Sequence, residues 1–326
     1  MVKPGGRGGQ QRLAYAGRTP RQDFLWMLIA IAVFFLILLF IPVVALLKQE
    51  YEPPALVMTP FPVTVDPKGK TIQEDPHVEA MLSGGNQQLT SALWFASDAI
   101  DAVASRVVGA PVYRMLSSAG VPNMVVIEPG FRREEVAHAF GEALGWSDAS
   151  EEAFVSLREG TDPELPDGTF SPGVYVVKAG TPEDEAHALV DERFERQILA
   201  RYPKEVSDIV PLEDALTLAS IIQRETADRE EMRMISGILW NRIFQGMRLQ
   251  VDATLQYAKA TEKGENDPGK WWPRVVPEDK FIESPYNTYM NAGLPPAPIS
   301  NPAVSAVIAA LNPKETDCLF YFHDRR

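Results

Sequence analysis

"LASIIQRETADREE", Leu218–Glu231, decides how the C-terminal half of this chain is read. Ala215, Leu218, Ile222, Glu225, Arg229 and Met232 follow one another at spacings of three or four, the repeat of one helix face. Five of them suit such a face, Arg229 by its long apolar stem. Glu225 is the exception, because its carboxylate points where Leu218 and Ile222 point. Loss of water on an apolar face disfavours the charged form and favours a proton donor. The plainer alternative is an exposed Glu225 paired with Arg229 at i,i+4 on a solvated helix. Periodicity alone leaves both open.

Working outward, the chain reads as mostly helical from Leu212, with a first helix that carries Glu225 and a second near Glu230 to Gln245, with Ile235, Ile238, Leu239 and Ile243 inward and Gly246 as its stop. After them come "MRLQVDATLQYA", "SPYNTYMNAGLPPAPISNP" and a last helix, Ala303 to Leu311. The middle stretch is rich in Pro, Tyr and Asn and has little periodicity. It reads equally as the wall of a sugar-binding groove or as a plain surface loop. Upstream, "NMVVIEPGFRREEVAHAFGEALGW" predicts a strand at Met124 to Ile127, a turn at Pro129-Gly130 and a helix from Arg132 with Val136, Phe140 and Leu144 on one face. "PDGTFSPGVYVVKAGTPEDEA" predicts a strand at Val174 to Val177 and then a helix to about Leu199. "FPVTVDP" alternates like a short strand, and a helical run covers Gln87 to Val107. The class expected is α+β, a small α/β module followed by a mainly helical domain with ordered loops.

The 326 residues carry a net charge of -13, which argues against a nucleic-acid partner, since phosphate binding needs a basic face. One cysteine, Cys318, rules out an internal disulfide and a thiolate zinc site. Phe24 to Leu47, "FLWMLIAIAVFFLILLFIPVVALL", runs for 24 residues without a charge. At ~1.5 Å per residue it can cross a hydrocarbon core of roughly 30 Å. It is too long for a signal-peptide core, and "ALLKQE" is a poor cleavage site. Lys3, Arg7, Arg12, Arg18 and Arg21 precede it against Asp23 alone, whereas Lys48 beyond it is balanced by Glu50 and Glu52. The expected topology is a single span with the N-terminus cytoplasmic and everything from residue 48 outside. The expected organisation is a cytoplasmic tail over 1–23, a transmembrane helix over 24–47, a stalk over 48–60, the small module over 61–160 and a mainly helical domain over 161–326.

Several chemistries lack their motifs. His77, His138, His187 and His323 stand far apart and none begins H-E-x-x-H, so no metal site is expected. "PKGKT" lacks the first glycine of a phosphate loop, and no G-x-S-x-G occurs. No cofactor is expected, and Glu225 remains. Acid-catalysed cleavage of a glycosidic bond uses such a group, usually with a second carboxylate.

"LASIIQRETADREEMRMISGILWNRIFQGMRLQVDATLQYA" together with "SPYNTYMNAGLPPAPISNPAVSAVIAALNP" closely resembles the endolytic murein transglycosylases of the MltG/YceG-like family. That family joins S-I-[IV]-x-x-E-T to N-R-[LI]-x-x-G-M-x-L-Q-[ST]-D-[PA]-T and then to S-x-Y-N-T-Y-x-x-x-G-L-P-P-x-x-I-x-[NT]-P. Three blocks recur here in order, over roughly Leu218 to Pro313, with Val251 in place of a small polar residue. "NMVVIEPGFRREEVAHAF" is similar, more loosely, to the family's LysM-like subdomain, and "SPGVY" stands where the family has F-P-D-T-Y. Where the family continues through G-x-H-x-F into an E-H-N helix, this sequence stops at "FYFHDRR", so on the resemblance the catalytic domain is truncated.

The resemblance implies that Glu225 is the general acid acting on the β-1,4 bond from N-acetylmuramic acid to N-acetylglucosamine in peptidoglycan. The muramic 6-hydroxyl would be the nucleophile, leaving a 1,6-anhydro end without consuming water. Gln250 and Asp252 of "LQVD" and Tyr286, Asn287 and Tyr289 of "SPYNTY" are candidates for holding sugar or orienting Glu225. Asn241 is read as a buried residue pinning the helix pair, and Trp271 and Trp272 as adjacent aromatics of open role. The expected partners are glycan strands, the membrane and peptidoglycan synthases. Two rival readings are a non-catalytic wall-binding scaffold and a two-carboxylate hydrolase with Asp252 as base, which would leave a reducing end.

Overall fold

The computed structural model describes residue 27 and residues 59–82, 123–157, 167–263 and 271–321. The expected tail, the span over 24–47, most of the stalk and the helix from Gln87 to Val107 lie outside the described residues. Among the described residues no helix is long and apolar enough to cross a membrane.

Two hydrophobic cores organise these residues. The smaller belongs to a β-α-α-β module. Strand β3 (Asn123–Ile127) pairs antiparallel with β4 (Gly173–Val177), Val125 opposite Tyr175, the short pair β1 (Val65–Asp66) and β2 (Thr71–Ile72) lying earlier in the chain. The next helices are α1 (Pro76–Leu82), α2 (Arg133–Leu144) and α3 (Asp148–Ser156). Helix α2 closes at Gly145, whose φ of 72° is the left-handed end that glycine takes without strain. Ser147 then caps α3 by accepting from the Ser150 amide. Phe140, fully buried, packs at 5.3 Å from Phe154 and 5.9 Å from Tyr175, so strand and helices share one aromatic centre.

The larger core is helical. Helix α4 (Glu183–Gln197) and the short α5 (Lys204–Ser207) lead to α6 (Leu212–Glu225), where every residue from Ala215 to Ile222 is buried. A helix apolar on all sides belongs inside a domain. Around it pack α7 (Arg229–Phe244), α8 (Asp252–Lys263) and α9 (Val304–Leu311). Burial of Leu218, Ile221 and Ile222 stabilises this arrangement by about 1.5–3 kcal/mol each. Ser220, a polar residue inside the run, has its hydroxyl used as both donor and acceptor. The Ser220 hydroxyl donates to the Thr217 carbonyl and accepts from the Ile299 amide at 3.0 Å, which ties the "PISNP" segment to α6.

Two sequence expectations are corrected. The module does not end at 160, because β4 supplies the strand that β3 needs, and Ala186 and Val190 of α4 complete its core. Nor does it begin at 61: Phe61 and Val65 sit in the helical core, with the Phe61 amide donating to the Arg201 carbonyl and the Thr64 amide to that of Leu311. Helix α4 joins the two cores, its Phe194 contributing to the helical one.

The second correction concerns the helix face that runs through Glu225. Helix α6 stops at Glu225, Thr226 is extended (φ -154°, ψ 158°), and α7 begins three residues later behind Asp228, whose carboxylate accepts from the Glu231 amide. Glu225 and Arg229 therefore do not share a continuous helix. The spacing of three and four simply runs across a break.

Candidate active site

Glu225 is the last residue of α6, partly buried, at the point where the most deeply packed helix reaches the surface. Its Oε2 accepts a hydrogen bond from the Tyr321 hydroxyl at 2.9 Å. A carboxylate suits a helix N-terminus and is electrostatically out of place at a C-terminus, where backbone carbonyls point outward. The turn behind it is rigid. The Thr226 hydroxyl donates to Glu231 and accepts from the Asp228 amide at 3.1 Å, so the "ET" pair fixes the direction in which the chain leaves the helix.

Two loops from the sequence motifs stand beside Glu225, and they are fastened to each other. Gln250 adopts a left-handed backbone (φ 52°), rare for a residue with a side chain, and its amide donates to the Thr288 carbonyl. The Val251 amide donates to the Thr288 hydroxyl at 3.1 Å, and that hydroxyl meets the Thr254 hydroxyl at 2.7 Å. These bonds turn Gln250 and Asp252 outward, both exposed, while Leu249 and Val251 are buried. At the surface the Tyr289 hydroxyl donates to Asp252 Oδ1 at 2.7 Å.

The electrostatics join these parts into one cluster. Burial, Asp252 and Glu225 all push the Tyr289 phenol up from its ordinary value, so it stays a neutral donor. Burial and Glu225 do the same for Tyr321, against the opposing charge of Arg242. Arg242 is buried and holds three segments together: it extends from α7, donates to the Leu319 carbonyl at 2.6 Å and to the Leu249 carbonyl, and lies over the Phe320 ring. The cluster is thus Glu225, Tyr321, Tyr289, Asp252 and Arg242, with Gln250 at its exposed edge.

Other candidates stand elsewhere. Asn287 is wholly buried; its amide donates to the Lys280 and Ile282 carbonyls, and its oxygen accepts from the Tyr289 amide at 2.9 Å. Its work is to shape the loop that presents Tyr289. Tyr286 packs against Tyr257, with ring centroids 4.7 Å apart. Trp272 lies at the junction with the module, its indole donating to Glu135 and its face covered by the Arg224 guanidinium at 3.7 Å. Trp271 packs on His138. Asn241 donates to the Thr316 and Cys318 carbonyls, so it anchors the C-terminal segment and not a neighbouring helix. Among the described residues no three His, Cys, Asp or Glu side chains gather to hold a metal ion.

Sequence reasoning missed Tyr321, Arg242 and Thr288. Arg242 and Thr288 lie inside the quoted blocks, beside Asn241 and Asn287, and could have been taken up with them. Tyr321 stands in a short segment without periodicity and gave no signal.

A partly exposed carboxyl at a helix end, faced by phenols and a second carboxylate between two ordered loops, is placed where it could pass a proton to a bound group. Residues 102–326 match the YceG-like family, and the chain belongs to that family. It is similar to an endolytic murein transglycosylase of Bacillus subtilis (strain 168), 39% identical over 112 residues, which is 34% of this chain and 29% of that protein. It is also similar to an endolytic murein transglycosylase of Streptococcus pneumoniae serotype 2, 29% identical over 161 residues, or 48% of this chain and 28% of that protein. The match thus spans less than a third of these relatives. Among solved structures, a yceG-like protein from Listeria monocytogenes aligns with a TM-score of 0.54 and 25% identity, over 63% of this chain and 71% of that one.

Proposed function

We propose that this protein is a membrane-anchored lytic transglycosylase that cuts peptidoglycan strands internally, with Glu225 as the single acid and base. The observation that carries the reading is Glu225 itself, ending a buried helix at the surface beside the hydrogen-bonded pair Tyr289 and Asp252. Glu225 gives its proton to the glycosidic oxygen as the bond from the muramic C1 breaks. The 6-hydroxyl of the same muramic acid bonds to C1 and its proton passes to the Glu225 carboxylate, so the enzyme returns to its starting state and no water is consumed. A nucleophile already held in the substrate contributes through proximity. Gln250, Asp252 and Tyr289 contact the sugar from the two loops, and Asn287 and Tyr286 support them from behind. The module over 123–197 holds glycan as a LysM-like unit.

Residues 24–47 anchor the protein in the plasma membrane with residues 1–23 inside, and the stalk keeps the catalytic domain close to the outer face. Newly made strands are the substrate within reach, cutting them ends their elongation, and the synthases that make them are the natural neighbours.

Product mass tests the chemistry. Long uncrosslinked strands given to the purified protein should yield intermediate-length fragments ending in 1,6-anhydro-N-acetylmuramic acid, each lighter by one water than the hydrolysis product. Reducing ends would instead support the hydrolase with Asp252 as base, and binding without cleavage would support the scaffold.

A further inference from the structure

The segment 316–321 bears on the protonation of Glu225. Tyr321 donates to Oε2 of Glu225 at 2.9 Å and is itself partly buried. The backbone before it is held by two side chains. Arg242 grips the preceding backbone through the Leu319 carbonyl and covers Phe320, and Asn241 holds the carbonyls of Thr316 and Cys318. Two neighbouring side chains of α7, the "NR" pair, thus fasten the same short segment. The same guanidinium reaches the Leu249 carbonyl at the start of "LQVD", so one buried group sets both the Tyr321–Glu225 pair and the loop bearing Asp252.

We propose that Tyr321 is the positioning residue of Glu225: set in place by the grip of Arg242 and Asn241 on the backbone before it, its hydroxyl fixes the carboxyl group through Oε2 and stabilises the carboxylate that forms when the proton leaves. The inference rests on the reading of Glu225 as the general acid. Among the groups that face Glu225 are Arg224 on its own helix, Tyr289 from the 284–291 loop and Tyr321 from the C-terminal segment, with Arg242 of α7 acting on both tyrosines and Asp252 of α8 bonded to Tyr289. Of the two phenols, the Tyr289 hydroxyl donates to Asp252, which leaves Tyr321 as the phenol bonded to Glu225. A donor to the charged form stabilises that form. Its strength grows as charge develops, so the effect falls on the chemical step and not on glycan binding.

The test is the pH dependence of strand cleavage by the full chain in detergent micelles, for the parent, Tyr321→Phe, a 3-fluorotyrosine variant at position 321, and Glu225→Gln. A general acid must begin protonated, so the rate falls as pH rises through its titration. Without the hydroxyl the carboxylate is less favoured and the alkaline limb moves up. Tyr321→Phe should lower kcat by about 10- to 100-fold with KM little changed, and should shift that limb upward by about half a pH unit or more. The fluorinated phenol fills the same space and donates more strongly, so its limb should move down. If Tyr321→Phe fails to fold, the direction of the fluorotyrosine shift decides alone. Coincident limbs, or limbs displaced the other way, overturn the proposal while an inactive Glu225→Gln leaves the reading of Glu225 intact. An active Glu225→Gln overturns both.

Discussion

Two carboxyl groups define two contrasting corners of this molecule. Asp167 is fully buried where the module meets the helical core. Its Oδ1 accepts from the Arg133 amide at 2.7 Å and its Oδ2 from the Tyr257 hydroxyl at 3.0 Å. Burial, then the neighbouring charge of Glu134, push it up to about 7 against the pull of Arg132 and Arg133. Glu225 stands partly exposed at a helix end with a phenol on one oxygen. A raised carboxyl of this kind is what an acid at neutral pH needs. Asp167 has no access to a substrate. Neighbouring Gly168, with φ +94°, lies so close to Pro298 that a Cβ would meet its ring at 2.8 Å, and the Gly168 and Phe170 amides both donate to the buried Asn301 oxygen. A shifted carboxyl in a closed corner is a structural pin, and a carboxyl at an opening can do chemistry.

The comparison can be broken first at Asn301. Its oxygen takes two amides and its nitrogen donates to the Phe131 carbonyl at 2.9 Å, all without exposure to water. Asn301→Ala leaves the Gly168 and Phe170 amides unpaired, although the Phe131 carbonyl keeps the bond from the residue 301 amide, and should destabilise the protein by about 2–5 kcal/mol, read as a lower denaturant midpoint. A midpoint within error of the parent would mean the closed corner is no pin. In the open corner, Asp252→Asn keeps the shape but weakens the bond from Tyr289. It should reduce cleavage by about tenfold with unchanged melting, which a parallel rate and calorimetry series would check. Lost folding there would put Asp252 in the structural class.

A finer distinction comes from pH. The folded-state titration of Asp167 lies above the unfolded one, so the folded protein binds a proton across the interval from about 4 to about 7 that the unfolded chain does not. This group therefore favours folding below that interval, and its contribution is lost as pH rises through about 7. Glu79 behaves oppositely. Hydrogen bonding by Arg233, with Lys314 adding to it against burial, lowers it to about 2, so its contribution is present above about 4.5 and lost as pH falls through about 2. Asp167→Asn should flatten the decline of melting temperature between about pH 4 and 7 and leave the acid side unchanged. An unaltered slope in that window would show that Asp167 does not titrate there.

Much of this was legible in the sequence, and the part that was not has physical causes. Strand β3, helix α2 and the two helices flanking Glu225 follow from periods of two and 3.6 and from glycine stops, which are local. The extent of the module was hidden because β3 pairs with a strand far along the chain, and pairing across such a distance leaves no local trace. Glu225 could be singled out because a carboxylate breaks an apolar face, although the face itself crosses a helix break. The left-handed Gln250 and the bond from Tyr289 to Asp252 arise from loop closure between separated segments. Asp167 and Asn301 lie in stretches whose composition reads as turn, so their burial could be seen only in three dimensions.

The most direct measurement compares the two carboxyls in one assay, as initial cleavage rates of uncrosslinked strands by the parent, Glu225→Gln and Asp167→Asn. Loss of general acid catalysis costs about 10²- to 10⁴-fold, so Glu225→Gln should fall by at least that much while folding normally, and Asp167→Asn should cleave at close to the parent rate wherever it remains folded. A Glu225→Gln protein that cuts strands at the parent rate, or a folded Asp167→Asn protein that does not cut them, would contradict the account.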